Sequence, residues 1–484
     1  MHTEAIIYLI VFFTGFFILR TFNPSSIIFN TIASFPFAFM LWFYLFLLVH
    51  TFPVLDFSTK EKAITIMTMV LIVFVITTFV SLRKRKLNIK EIKYIALASV
   101  FISVLALFAV YFQPVILSTD NYQKVLLETP IGITLNKGFP IYGVALQYFG
   151  QIIDYDYLFG HPNIFSNISL ILLMGYMLYR KLQPELDMPK YALLIFIFLP
   201  GVALYTTFVG YFHFFYLNNH VLTALVYLIL FYLLQEYIKN KRINYIYTVN
   251  ALLFFLVFLR MEGYLFSILF IFFFFRHKDI PVSIGKQVSL VHFLLTTPWI
   301  IFTIINSWGV HSYVNTNLQI ISLGIGFVLY LFFVLKGKEI GIINFFWNLK
   351  PFTMLLSIVI LYFIFLSIKP DHMLGNTRTL VLNMFYKPGK WIPFWAFIIP
   401  ISIYIIIDRK IWLSNQFLDL LVSYFYIAFM LTFLLSFFRV ALRPDLLDSI
   451  NRMIIHFTPM LLVWLFYYIG IYFRKDTLIA PARS

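Results

Sequence analysis

Arg260 and Glu262 interrupt an otherwise apolar run from Ala251 to Phe275. Ionisable groups inside such a run are costly and commonly mark function. Three further groups of residues could do chemistry. The first is acidic. Asp120 follows an apolar stretch ending at Phe112, and Asp154 and Asp156 lie further along the same segment, with His161 close behind. An aspartate near a headgroup plane can take a proton from a hydroxyl and turn it into a nucleophile. Ser118-Thr119-Asp120 ahead of an amphipathic stretch reads equally well as a helix cap. Asp154, Asp156 and His161 carry donors that a divalent ion accepts, on a generic spacing.

The second group is imidazole: His213 and His220 in the aromatic segment Tyr205 to His220, and His456 near the C-terminus. His213 and His220 can donate to a phosphate or polarise a leaving group, although exposed histidine is the plainer reading. The third group is cationic, with Lys369, Arg378, Lys387 and Lys390 in one interval and Arg439, Arg443 and Arg452 in another. The arginine fork matches phosphate oxygens.

The elements that must position these residues are helices in a bilayer. The 484 residues are 62% hydrophobic, 20% aromatic and 12% charged, with a mean hydropathy of +0.90. This composition excludes an ordinary soluble domain and indicates an all-α polytopic bundle. No basic region precedes the first apolar stretch, Ala5 to Leu19, so it reads as a retained helix rather than a cleaved leader. Cysteine is absent, which excludes disulfides, thiolate metal sites and cysteine nucleophiles. The formal charge of +16 does not point to nucleic acid, because the Lys and Arg residues cluster between apolar runs as topology signals and lipid contacts do. The bias toward Phe, Ile and Lys matches an AT-rich bacterial genome, and hence a plasma membrane.

Windows of apolar residues give about fifteen crossings. They include Ile27 to Val49, Tyr94 to Phe112, Tyr191 to Phe208, Ile243 to Leu259, Met261 to Phe275, Trp412 to Phe438 and Ile454 to Phe473. The segment Leu135 to Ile153 mixes Phe, Ile, Val, Leu and Tyr with Gly and Gln, and reads either as a stretch lying flat in the outer interface or, at least as readily, as plain packing on other helices. Arg83-Lys84-Arg85-Lys86 is the strongest positive-inside signal, and alternation from it places Arg180, Lys181, Lys239, Lys241 and Arg242 inside. At Arg260 the topology forks. Two short crossings leave more Lys and Arg in the inner loops downstream, whereas one helix from Tyr247 to Phe275 would reverse every later loop. The two-crossing reading brings Asp120, Arg378, Arg439, Arg443 and Arg452 to the outer face. The inverted reading makes the late cations ordinary cytoplasmic loops.

Four features resemble the GT-C class of polyprenyl-phosphate-dependent membrane glycosyltransferases. Asp120 follows an early helix at the start of a large loop. Pro200-Gly-Val-Ala-Leu-Tyr205-Thr-Thr-Phe-Val-Gly-Tyr211 is similar to that class's second outer loop. Leu259-Arg260-Met261-Glu262-Gly263 is similar to its Arg-x-Glu/Asp-Gly helix break, and Asn451-Arg452-Met453-Ile454-Ile455-His456-Phe457-Thr458-Pro459 to its late Arg-to-Pro motif. The resemblance implies a catalytic core over 94–484 preceded by additional helices over 1–93. It also implies transfer of a sugar, with inversion, from a polyprenyl-(di)phosphate donor to an acceptor hydroxyl at the extracytoplasmic face. Asp120 would be the base. Arg452, with Arg439, Arg443 and Arg378, would hold the phosphate, while Arg260, Glu262, His213, His220 and His456 would line the cavity. The expected partners are membrane lipids and the lipid-linked saccharide. The second acidic residue that many relatives use for metal has no counterpart between Val209 and His220, which counts against a divalent cofactor. A lipid-linked oligosaccharide polymerase or ligase is the alternative enzyme. A flippase or transporter would be expected to carry two related halves, and no repeat is visible.

Overall fold

The computed structural model describes residues 2–22, 26–51, 58–112, 160–185, 189–207, 210, 219–260, 262–275, 277–307, 351–386, 391, 394–411, 416–435 and 449–479. Among these the chain is all-helical. Seventeen helices follow in order: α1 (His2–Phe22), α2 (Ile27–Ile32), α3 (Ser34–Thr51), α4 (Thr59–Lys84), α5 (Ile89–Phe112), α6 (Gly160–Leu182), α7 (Lys190–Tyr205), α8 (His220–Asn240), α9 (Ile243–Leu259), α10 (Gly263–Phe274), α11 (Val282–Ser307), α12 (Pro351–Ile368), α13 (Pro370–Phe385), α14 (Phe394–Asp408), α15 (Asp419–Leu435), α16 (Ser449–Ile454) and α17 (Thr458–Ile479). Two helical stretches among the described residues, Lys60–Lys84 and His220–Asn240, are long and apolar enough to cross a membrane, and nine shorter apolar helices accompany them. The count of about fifteen crossings is therefore a finer statement than these helices make.

Several expected boundaries hold, and the departures have local causes. The expected Ile243–Leu259 helix is α9, but the expected Ile27–Val49 helix is two, α2 and α3, parted at Ala33. Pro36 accounts for the break: an uninterrupted helix would drive its ring against the carbonyl of Ile32. The run at 251–275 is likewise broken, because Arg260 is extended (φ −151°, ψ 142°) and caps α9. Helix α7 stops at Tyr205 rather than continuing to Phe208, and Thr207 Oγ1 then bonds the Leu204 carbonyl at 2.7 Å. The expected Ile454–Phe473 helix begins instead at Thr458 as α17, and Ile454 is the last residue of the short α16.

The interval holding Arg378 was expected to be a loop and is a helix, α13. Pro370 at its start and Asp371 in its first turn favour initiation. It escapes a hydropathy window because polar residues are interspersed along it, with Asn376 and Asn383 buried beside Met373, Leu380 and Met384, and Arg378 exposed.

The chain divides into two compact units, 1–173 with 212–261 and 174–211 with 262–484. In the first, α1 packs against α3, α4 and α5, and α8 pairs with α9. Aromatic side chains fill the seams: Phe29 stacks on Tyr232 at 4.1 Å, Phe35 on Phe165 at 4.2 Å, and Phe43 meets Phe258 at 5.1 Å. Each such pair contributes on the order of 1 kcal/mol beyond area burial. Lys241, left-handed at φ 54°, turns the chain from α8 into α9, and its N–H reaches the Tyr237 carbonyl at 2.7 Å.

In the second unit, α15 is central and touches α10, α12, α16 and α17. Tyr424 spans from α15 to α10, where its hydroxyl donates to the Phe266 carbonyl at 3.1 Å. Large apolar side chains stand exposed on both units, among them Ile72, Val75, Ile76 and Phe79 on α4 and Ile360, Phe363 and Ile364 on α12. Water would not tolerate such continuous stripes, whereas lipid matches them.

Candidate functional site

Asp120, Asp154, Asp156, His213, Arg439 and Arg443 lie outside the described residues, and His161 falls in the first turn of α6. The remaining candidates are distributed over both units.

In the first unit, His220 and Arg260 come together. His220 is the first residue of α8 and fully buried, and Arg260 is the half-buried cap of α9. Arg260 Nη1 lies 3.3 Å from His220 Nε2. A guanidinium only donates, so Nε2 accepts and the ring carries its proton on Nδ1. Beside it, Asn219 Nδ2 donates to the Leu259 carbonyl at 3.2 Å, satisfying one of the acceptors that every helix C-terminus leaves over. The start of α8 is thus bonded to the end of α9, forty residues away in sequence, because the two helices run antiparallel through the Lys241 turn. Arginine at a helix C-terminus is also favoured by the helix dipole.

The opposite end of the same hairpin is also polar. Ser26, Arg85, Lys90, Glu91, Tyr94, Glu236, Lys239 and Arg242 are among the residues around a cavity of about 470 Å³. At 1.5 Å per residue, α8 separates this cavity from His220 by roughly 30 Å, the thickness of a bilayer core. A buried pair anchors the cavity wall. Glu91 receives Arg85 Nη2 at 2.9 Å and Arg20 Nη2 at 3.3 Å, and Arg20 Nη1 also donates to Ser81 Oγ at 2.7 Å. The cluster was legible only in part. Arg85 reads as a topology signal, whereas Arg20, just beyond the apolar stretch Ala5 to Leu19, carries no spacing signal of its own.

In the second unit, Arg378 and Arg452 belong to helices α13 and α16, which pack on each other. Arg452 is half-buried and His456, just beyond, is buried with Phe457 at its edge. Glu262 is buried at the start of α10, and its carbonyl accepts from Phe266 N at 3.2 Å. Two residues on, Tyr264 stacks on His292 of α11 with centroids 5.7 Å apart. His292 was not foreseen. It is buried, and neither ring nitrogen has a hydrogen-bond partner among the described residues. One histidine in the apolar run Val288–Ile305 carries no spacing signal that would single it out.

The far end of this unit carries a second polar group. Asp419 is buried at the start of α15 and accepts from Tyr468 at 2.7 Å and Trp464 at 3.3 Å. One turn along α17, Tyr472 donates to Asp408, and Arg409 lies 4.9 Å over the Tyr472 ring. Partial burial works to lower the basicity of Arg409. It is outweighed by Tyr472, Asp408 and Tyr468, so the guanidinium is held above its ordinary pKa. Tyr467 donates to Glu185 at 3.2 Å, bringing the turn after α6 to the same end.

No protein-family model, curated protein or solved structure matches this chain.

Proposed function

We propose that this protein is a multi-pass membrane glycosyltransferase that moves a sugar from a polyprenyl-(di)phosphate to an acceptor hydroxyl at the extracytoplasmic face. The observation that carries the reading is the packing of α13 on α16, which brings the helices of Arg378 and Arg452 together on one side of the second unit. Two guanidinium groups there suit a leaving phosphate, because fixed positive charge is worth most where negative charge grows in the transition state. Asp120 takes the acceptor proton as the inverting nucleophile forms.

The polar end around Asp419 supports the topology this requires. Glu185 follows Arg180 and Lys181 and bonds Tyr467, while Asp408 and Arg409 meet Tyr472 nearby on α17. The 180–185 and 408–410 segments therefore share an end of the unit. That is the parity given by two crossings at Arg260, with both segments inside by the positive-inside rule.

The test is transfer of a radiolabelled sugar from a polyprenyl-phosphate donor by protein in proteoliposomes. Arg452→Ala should reduce turnover by on the order of a hundredfold, and Asp120→Asn should abolish it. Full turnover in either variant overturns its assigned role.

A transporter of a polar substrate is the second reading, favoured by buried His292, neither of whose ring nitrogens has a hydrogen-bond partner among the described residues, since such groups at membrane depth mark substrate or proton pathways. Movement of a lipid-linked saccharide across vesicles without covalent change would establish it over the enzyme.

A further inference from the structure

We infer that the cavity at the Lys241 end of the first unit is a binding site for the headgroup of an anionic phospholipid, whose acyl chains lie along α5. Four cations line it, Arg85, Lys90, Lys239 and Arg242, against two carboxylates, Glu91 and Glu236. Both carboxylates are already engaged: Glu91 by Arg20 and Arg85, and Glu236 by Asn240 Nδ2 at 3.2 Å. Lys90, Lys239 and Arg242 have no ion-pair partner among the described residues and are exposed at the rim. The two turns that supply them, α4 to α5 and α8 to α9, are held by the buried Arg20 network and by left-handed Lys241. The basic groups are therefore presented by folded turns rather than by a tail.

A free phosphate ion would need only these cations. The surface leading away from them selects a lipid instead. Tyr94 lines the cavity, and from it Leu97, Phe101 and Val104 follow at intervals of three, four and three residues along α5. All four are exposed, Leu97 to 67%. That spacing keeps them on one helix face, so an apolar stripe begins where the cations end. Basic pockets between helices at the inner face are where anionic headgroups bind. This site rests on the chain lying in a membrane but not on sugar transfer, and it is at the end of α8 opposite His220 and Arg260.

Native mass spectrometry of the purified full chain, equilibrated with equal phosphatidylglycerol and phosphatidylethanolamine, tests the inference. The wild type should retain phosphatidylglycerol preferentially. The K90Q/K239Q/R242Q variant should lose that retention by on the order of a hundredfold, at about fivefold per cation, with the phosphatidylethanolamine adduct unchanged. Should the triple variant fail to fold by circular dichroism, Lys239→Gln alone should lower the ratio about fivefold. Equal retention by a folded variant overturns the site. Displacement of the lipid from wild type by inorganic phosphate at equimolar concentration assigns the cations to a soluble anion and overturns the lipid. A Leu97→Gln/Phe101→Gln variant that still prefers phosphatidylglycerol as strongly as wild type does the same.

Discussion

Arg260 Nη1 stands 3.3 Å from His220 Nε2, tying the end of α9 to the start of α8. Because the imidazole is buried and the guanidinium half-buried, removing one partner leaves the other under-satisfied. His220→Phe and Arg260→Met should each cost about 1–3 kcal/mol. The double variant should cost less than their sum, by about 0.5–3 kcal/mol for residues in contact. Thermal unfolding of the four proteins in one detergent reads the coupling, and strict additivity would disprove the contact.

A sharper loss is expected in the Arg20–Glu91 pair. Glu91→Gln leaves Arg20 buried without its counter-charge beside the Ser81 carbonyl, and breaking such a pair costs roughly 3–5 kcal/mol. Replacing both by Met and Leu should recover much of the stability, since a well-packed apolar pair avoids burying charge at all. Chemical denaturation that leaves Glu91→Gln as stable as wild type would remove the network from this role.

Close approach of α1 to α3 gives a third prediction. A Cβ added at Gly15 would lie 1.8 Å from the Ser34 carbonyl oxygen, a backbone atom. Gly15→Ala must push the helices apart and should destabilise by about 1–3 kcal/mol or more. Gly375, where an added Cβ meets nothing within 4 Å, is the matched control. Gly375→Ala, at an exposed position of α13, should stabilise by about 0.5–1 kcal/mol through helix propensity. Melting temperatures of the two variants should move in opposite directions.

The proposed topology can be read chemically because the chain has no cysteine of its own. Single cysteines at Lys239, Lys410 and Arg378 should sort into two classes with an impermeant maleimide. The first two should label from inside and the last from outside. Labelling of Lys410→Cys from outside and of Arg378→Cys from inside would reverse the second unit, and with it the assignment of Arg452 to an outer phosphate.

A further measurement concerns Asp419, which holds Trp464 and Tyr468 of α17. Asp419→Leu strands both donors in a buried site and should cost about 2–5 kcal/mol. Tyr468→Phe alone should cost about 1 kcal/mol. Equal effects in unfolding experiments would show that the carboxylate is not the hub.

Helical architecture and the break at Arg260 were both legible, because hydropathy over a long window and one charged interruption are local properties. Arg378 illustrates the limit. Its helix, α13, mixes polar and apolar residues, with Asn376 and Asn383 buried and Leu374 and Val381 exposed, and a window that averages them sees a loop. His292 and Arg20 show a different limit. Their chemistry depends on whether a neighbour supplies a partner: Arg20 finds Glu91 71 residues away, whereas His292 meets the ring of Tyr264 on another helix and no hydrogen-bond partner among the described residues.

The amino-acid sequence by itself determined that this is an apolar, all-helical chain whose charge is gathered between its apolar runs, since burial preference and periodicity belong to each residue and its near neighbours. Tertiary structure decided which of those charges meet. It brought Arg260 to His220, gathered Lys90, Lys239 and Arg242 round one cavity, and set the helix of Arg378 against that of Arg452. Such pairings arise from how helices cross, a property of side-chain packing over long sequence separations that local pattern does not encode.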